Sequence, residues 1–362
     1  MLLIEDLFDL AYMDERIEAG YVRVQSHPTE PYKIYNYTEK AQYEGAWDFV
    51  TTTCRGLIVG PGGEVLARPF AKFFNYGDPM AGELDLSGPA EVVDKLDGSL
   101  GILYPTSDGY AVATRGSFTS LQAVHATQLL RARYGDFEPP EGMTVLVEIV
   151  YPENRIVCDY GGADDLFLLG AVDIATGTVV GPDWVSGWWG PQAAVFNVRT
   201  LGEALALPQR PGAEGLVVRL LVSGHMVKIK QADYLALHKI VTGLNARGVW
   251  EALGDGKTVA DICEPLPDEF HQWVKDLAGG LQLQAEMAYE AARVTHDNIV
   301  EKLDQEHPNG WQRRHYADWA TRCANPAWLF NLLDGRDPRP AIWKTVRPAG
   351  DVRPVLFSED AA

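Results

Sequence analysis

Cysteine is scarce in this sequence. Cys54, Cys158, Cys263 and Cys323 are the only four in 362 residues, and they form no C-x-x-C pair. That argues against a disulfide framework and against a zinc site of ordinary spacing. It favours free thiols in a reducing compartment, so the expected location is the cytoplasm. Long apolar runs are also missing. The run from Val145 to Val150 is far too short for the ~20 residues that a spanning helix needs, so no membrane association is expected. The start, Met1-Leu2-Leu3-Ile4-Glu5-Asp6, has no basic segment and no small-residue cleavage site, so no signal peptide is expected. Basic charge is in deficit: 31 Lys and Arg stand against 50 Asp and Glu, a net charge of −19. Such a balance argues against a nucleic-acid binder, because affinity for phosphates comes largely from Lys and Arg. An enzyme of small metabolites fits it better. An acidic exterior can nevertheless surround one basic groove, so the positions of the cations matter more than their number.

What is present begins with an ordinary apolar fraction, 46%, enough for a sizeable core. The length implies a large domain with a smaller one, or two comparable domains. Residues 1–20 have helical spacing at Leu3, Leu7, Leu10 and Ala11. From Tyr21 to Leu237, short apolar runs alternate with turn signals such as Gly60-Pro61-Gly62-Gly63, Asp97-Gly98, Asp108-Gly109 and Thr176-Gly177. This is the pattern of many short, mainly antiparallel strands. Regular strand–helix alternation is lacking, which disfavours a doubly wound parallel sheet. From about Ile240 the texture turns helical, with an apolar stripe through Leu283, Met287, Ala291, Val294, Ile299 and Leu303. Asp334 to Pro354, rich in Pro, Arg and Asp, is expected to wrap the surface or be partly disordered. The expected class is α+β, with an antiparallel-sheet domain over 1–243 and an all-helical domain over 244–362.

Four strings carry candidate chemistry. In Val92-Val93-Asp94-Lys95-Leu96-Asp97-Gly98-Ser99, two apolar runs flank a turn. Asp-Gly there is a hairpin signal. It also places Lys95 where a desolvated amine beside other cations could act as a nucleophile. In Thr144-Val145-Leu146-Val147-Glu148-Ile149-Val150, a carboxylate interrupts an apolar strand. Glu148 either lies on a wet face or ligates a ribose or a metal. Ala213-Glu214-Gly215-Leu216 sets another carboxylate, Glu214, at a strand entrance. In His225-Met226-Val227-Lys228-Ile229-Lys230, two lysines stand two apart. On a strand they share a face, where they either protect an edge or neutralise phosphate charge and lower the pKa of a nearby lysine.

The order K-x-D-G-S, strand with Glu, Glu-Gly, strand with K-x-K resembles the nucleotidyltransferase superfamily of DNA ligases, RNA ligases and capping enzymes. Flanking strings narrow it. Lys33-Ile34-Tyr35-Asn36-Tyr37, Cys54-Arg55-Gly56-Leu57, Arg68-Pro69-Phe70-Ala71-Lys72-Phe73-Phe74-Asn75, Thr114-Arg115-Gly116-Ser117 and Pro152-Glu153-Asn154-Arg155-Ile156-Val157 resemble the T-even phage RNA ligase family 1. The resemblance covers Tyr21 to Lys239 and departs at Arg115, where the family has Lys. It implies an adenylyltransferase fold with an all-helical C-terminal domain, and an ATP-dependent ligase that joins 5′-phosphate and 3′-hydroxyl RNA ends in RNA repair. The implied nucleophile is Lys95. Asp97, Glu148 and Glu214 are implied to hold Mg²⁺, or Mn²⁺ in its place, partly through water. Arg55, Lys72 and Lys230 would grip the triphosphate and Lys228 the α-phosphate, and Tyr37 and Arg115 would also line the ATP site. Arg155 is either structural or a phosphate contact, and Ser99 reads as a turn residue. RNA ends, nicked tRNA among them, are the implied partners, with an end-healing kinase or phosphatase. A monomer is the default.

Three rivals stay open. A capping guanylyltransferase or a DNA ligase would carry an OB-fold after the K-x-K strand, where this chain reads helical. A non-catalytic RNA-end binder would have no need of an intact Lys95. The C-terminal Arg313, Arg314, Arg322, Arg336, Arg339, Lys344, Arg347 and Arg353 form the one extended basic region. They are either an RNA-facing surface or a solvated helical face.

Overall fold

Val, Ile, Leu and Tyr dominate the short apolar runs, and β-branched and aromatic side chains fit a pleated, half-buried surface. The structure is a computed structural model that describes residues 2–232, 234–235, 243–264, 266, 268–350 and 352–353. The architecture is α+β, and the chain folds as two units, Met1–Lys239 and Ile240–Pro354.

In the first unit, β1 (Val22–Ser26), β2 (Lys33–Tyr37), β3 (Arg55–Val59) and β4 (Val65–Ala67) form one antiparallel sheet in that order. A second sheet uses β6 (Ala90–Lys95), β12 (Gly215–Leu220), β13 (Met226–Lys230) and a short β5 (Phe74–Asn75), which lies parallel to β13. The third has the order β11 (Val179–Val180), β10 (Asp165–Asp173), β9 (Met143–Val150), β7 (Ser99–Thr106), β8 (Gly109–Ala113). β9 is central and buried on both faces. Val145, Val147 and Ile149 pack with Leu129 and Leu130, and Leu146 packs with Ile34, Ile58 and Ile102.

Several expectations change here. The first twenty residues are not one helix. α1 (Ile4–Leu7) ends at Phe8, which is extended and buried, and Asp9 caps a new helix, α2 (Leu10–Glu18), by accepting from the Ala11 and Tyr12 amides. Two short helices, α3 (Glu39–Glu44) and α4 (Phe49–Thr53), lead into β3. The strand-rich region also holds α5 (Leu121–Arg133), capped by Ser120 and packed on the third sheet through Ala126, Leu129 and Leu130. The Asp97-Gly98 hairpin does not form. β6 pairs with β12, whereas β7 pairs with β8 and β9. The turn carries the chain from one sheet to another.

The second unit is helical: α7 (Ala246–Gly254), α8 (Val259–Cys263), α9 (Asp268–Glu306), α10 (Arg313–Ala320), α11 (Pro326–Leu333) and α12 (Arg339–Trp343), with α6 (Leu201–Leu205) belonging to the first. The proposed stripe on α9 is out of register in its first half. Leu283, Met287 and Val294 are exposed, and the buried row runs through Val274, Ala278, Leu281, Ala292, Ile299 and Leu303. The stretch after Asp334 is ordered through Val346. Ile342 is fully buried, and Trp343 and Trp250 stack and exchange indole-to-carbonyl hydrogen bonds of 3.3 and 3.0 Å. Residues 351 and 354 lie outside the described set. No described helix is long and apolar enough to cross a membrane, and all four cysteines are free thiols.

Candidate nucleotidyl-transfer site

Lys95 closes β6, directly across from Gly215 at the start of β12, which in turn faces Lys230 at the end of β13. The three strand ends meet around one carboxylate. Glu214 is 3% exposed; its Oε2 lies 2.6 Å from Lys95 Nζ and its Oε1 3.1 Å from Lys230 Nζ. Gly215 must be glycine: φ is +155°, and a Cβ would sit 2.0 Å from the Ile229 carbonyl oxygen.

Glu148 reaches the same point from the third sheet. It does not lie on a wet face: it is 9% exposed and accepts from the Gly98 amide at 3.0 Å. Burial drives its carboxyl up to about 7, against the pull of Lys95 and reinforced by Glu214 and Asp97. Gly98 has no room for a side chain, because a Cβ would meet the Ile149 carbonyl oxygen at 2.6 Å. Asp97 is also buried, and its oxygens are already in use. Oδ2 accepts from the Val157 and Cys158 amides at 2.8 Å each, and Oδ1 from the Tyr234 hydroxyl at 2.8 Å. About three of a carboxylate's four acceptor positions are thereby filled. Asp97 ties the turn after Lys95 to the 157–158 loop and has room for one further contact, such as a water.

The remaining cations surround Lys228. Burial lowers its pKa to about 6, with Arg55, Lys95, Lys72 and Lys230 adding repulsion. Its ammonium lies 4.7 Å from the centre of the Phe73 ring. Burial likewise lowers Arg55 and Lys72. Buried Tyr37 accepts from Arg115 at 2.8 Å. Burial pushes the Tyr37 hydroxyl up, but Arg115, Arg55 and Lys72 together bring it below its usual value. The fold thus brings together all ten predicted residues: Tyr37, Arg55, Lys72, Lys95, Asp97, Arg115, Glu148, Glu214, Lys228 and Lys230.

Other predicted residues settle nearby. Ser99 is not in the turn but opens β7, and its hydroxyl donates to buried Asn154 at 3.2 Å. Arg155 pairs with Asp159 at 3.4 Å. Sequence reasoning missed Arg210. One of its guanidinium nitrogens lies 2.7 Å from Asp94 Oδ1 and 2.7 Å from the Gly215 carbonyl oxygen. It clasps the residues next to Lys95 and Glu214. It also missed Trp47, whose ring borders Lys72, and Tyr160, whose hydroxyl accepts from the Asp97 amide at 2.7 Å. Asp94 stood beside Lys95 in the sequence, but nothing local marked a partner 116 residues away.

In chemical terms, a lysine amine beside a buried carboxylate, facing several uncompensated cations, suits transfer of a nucleotidyl group through a covalent lysyl intermediate. Similarity to known proteins is consistent with that class. A family model described as RNA ligase matches residues 53–234. The RNA ligase of Rhodothermus phage RM378 is 23% identical over 363 residues, covering 79% of this chain and 82% of that protein. RNA ligase 1 of bacteriophage TS2126 is 35% identical over 112 residues, 27% of this chain and 28% of that one. Among solved structures, an archaeal ATP-dependent RNA ligase aligns at a TM-score of 0.43 and 14% identity, covering 68% of this chain and 65% of its own. A Naegleria gruberi RNA ligase variant with ATP and Mn aligns at 0.35 and 19%, covering 48% and 60%. The family model spans half of the chain, and this chain belongs to the RNA ligase family.

Proposed function

We propose that Lys95 attacks the α-phosphorus of ATP. A bond forms between Nζ and phosphorus, the bond to pyrophosphate breaks, and the amine gives up a proton. AMP then passes to the 5′-phosphate of an RNA end, and a 3′-hydroxyl displaces it to leave a phosphodiester. The observation that carries this reading is the Lys95 amine 2.6 Å from Glu214, with Lys230 on the same carboxylate. Glu214 orients the Lys95 amine. Lys228, Lys230, Arg55 and Lys72 take the phosphate charge, and positioning with charge neutralisation supplies most of the rate. Tyr37 and Arg115 complete the ATP pocket.

The site also fits a hydrated divalent cation, Mg²⁺ or Mn²⁺. Glu148 is a buried carboxylate beside Glu214 and Asp97, and burial pushes its carboxyl up to about 7. Among the described residues, Asp97, Glu148 and Glu214 do not form a direct three-ligand set; the contacts proposed are partly through water, because Mg²⁺ gives up its waters reluctantly. Glu148 and Glu214 would hold it, with Asp97 touching it only through water. When bound, such an ion lowers the pKa of a neighbouring amine and polarises phosphate oxygens.

The substrates of this reading are RNAs with 5′-phosphate and 3′-hydroxyl ends, nicked tRNA among them, in RNA repair. Ends of other chemistry would first need a kinase or phosphatase. We take the enzyme as a cytoplasmic monomer, with RNA-end or tRNA selection in the helical unit. The test is to incubate wild type and Lys95→Ala with α-labelled ATP and Mg²⁺, then chase with 5′-phosphorylated RNA or the matching DNA. Label on wild type alone, discharged by RNA into a sealed product, is expected. Label that RNA leaves untouched would sink the RNA substrate, and wild-type protein that is free of bound AMP yet takes no label would sink the enzyme.

A further inference from the structure

Lys72 differs from Lys95 and Lys230 in how it is held. Lys95 and Lys230 share the Glu214 carboxylate. Lys72 makes no carboxylate ion pair among the described residues. Its ammonium lies instead 5.0 Å from the ring centre of Trp47, 5.4 Å from that of Phe74 and 5.5 Å from that of Tyr37. All three fall within the ~6 Å over which a ring face attracts a cation. The rings meet edge to face, Trp47 with Tyr37 at 5.0 Å and 86°, and Trp47 with Phe74 at 5.7 Å and 74°. Together they wall the charge on three sides.

Local structure fixes the Trp47 wall. Tyr37 ends β2 and Phe74 begins β5. Trp47 stands on the link between α3 and α4. Gly45 closes α3 in the left-handed conformation, φ 64°. Asp48 caps α4, accepting from the Thr51 amide at 2.9 Å, and is itself held by the Tyr12 hydroxyl at 2.9 Å and Arg16 at 2.8 Å. The tryptophan is thus set between two anchored helix ends.

An ammonium that must grip a polyphosphate faces a conflict. A carboxylate would hold it but would cancel its charge and occupy its donors. A ring face attracts the charge and leaves both available. We propose that Trp47 is a positioning residue for nucleotide binding: with Phe74 and with Tyr37, whose hydroxyl also hydrogen-bonds the ammonium, it holds Lys72 in place without a carboxylate partner for the phosphate oxygens of the incoming triphosphate. The inference rests on the reading of this site as the ATP-binding centre, and Trp47 acts through Lys72 rather than on the reacting atoms.

The experiment is single-turnover lysyl-AMP formation across a range of ATP concentrations at fixed Mg²⁺. The proteins are wild type, Trp47→Leu, Trp47→Phe, Lys72→Met and the Lys72→Met/Trp47→Leu double variant, each checked for folding by thermal melting. Trp47→Leu should raise the ATP concentration for half-maximal rate about three- to tenfold, the range of a partly desolvated cation–π contact, and change the saturated rate much less. Trp47→Phe should return it to within about twofold of wild type, because the ring face remains. In the Lys72→Met background, Trp47→Leu should have no further effect. Wild-type labelling with an unchanged ATP dependence in Trp47→Leu would overturn the inference and leave the ligase reading intact. So would a leucine penalty that persists without Lys72, or a phenylalanine no better than leucine, since either would mark a packing role. If Trp47→Leu fails to fold, the phenylalanine variant and Lys72→Met decide. Wild type that takes no label would remove both readings.

Discussion

Glu148 and Lys228 both have their charged forms disfavoured by burial. Glu148 titrates near 7, against 4.5 for a free carboxyl, chiefly because it is buried. The folded protein therefore binds this proton more tightly than the unfolded chain does, and the group's contribution to stability is lost as pH rises from about 4.5 through 7. The full loss is on the order of 3 kcal/mol. Glu148→Gln should flatten the fall in melting temperature of the ligand-free protein between pH 5 and 7, and should abolish lysyl-AMP formation. An unaltered pH slope would show that Glu148 is not the buried acid described here. Lys228 has the opposite sign. Its folded pKa near 6 lies below the ordinary 10.5, so the unfolded chain holds the extra proton and stability rises with pH between those values. Lys228→Met should therefore raise the melting temperature at pH 7 by several degrees, with a gain that shrinks towards pH 10, while adenylylation collapses. A gain that is independent of pH would contradict this. Both changes exchange function for stability, as expected where charges are gathered for a ligand.

Strand ends position the groups proposed to react. β6, β12 and β13 converge so that Lys95, Gly215 and Lys230 stand side by side, and Arg210 clasps Asp94 and Gly215 across that junction. Arg210→Met should cost about 1–2 kcal/mol, as expected for lost hydrogen bonds to a charged group, and should slow lysyl-AMP formation roughly tenfold if a small displacement of Glu214 matters as expected for near-attack geometry. Arg210→Lys should recover part of the rate. Stopped-flow or quench labelling would measure this, and a stability loss without a change in rate would assign Arg210 to the fold alone. Among longer elements, the α9 register shows why apolar periodicity misled. Leu283, Met287 and Val294 share a spacing with the buried row but are offset from it by about two residues, which rotates them to solvent.

Across the chain, the −19 net charge contrasts with the cations gathered around Lys228 in the first unit, and the electrostatic objection to an RNA substrate loses force there. In the helical unit the basic run is partly self-neutralised. Arg313 and Arg336 both pair with Asp334, and Arg339 lies 3.6 Å from Asp337. Arg314 and Arg322 are exposed and make no carboxylate ion pair among the described residues. If that unit faces RNA, the Arg314→Glu/Arg322→Glu double variant should discharge its AMP to RNA several-fold more slowly, more so at low salt, and should form lysyl-AMP at the wild-type rate. Equal discharge at 50 and 200 mM salt would assign those arginines to solvent.

The chemistry-bearing strings, the strand-rich then helical order and the family they resemble are legible in the linear chain, because side-chain type and period-two alternation are local properties. That Asp97-Gly98 joins two sheets instead of turning a hairpin emerges from long-range pairing alone. The same is true of the donors that fill Asp97, the burial of Glu148, the clasp of Arg210 and the aromatic walls around Lys72. Each of these rests on which distant strand or ring arrives within a few ångströms. Backbone pairing and burial over separations of tens to more than a hundred residues fix that outcome, and no local pattern encodes it.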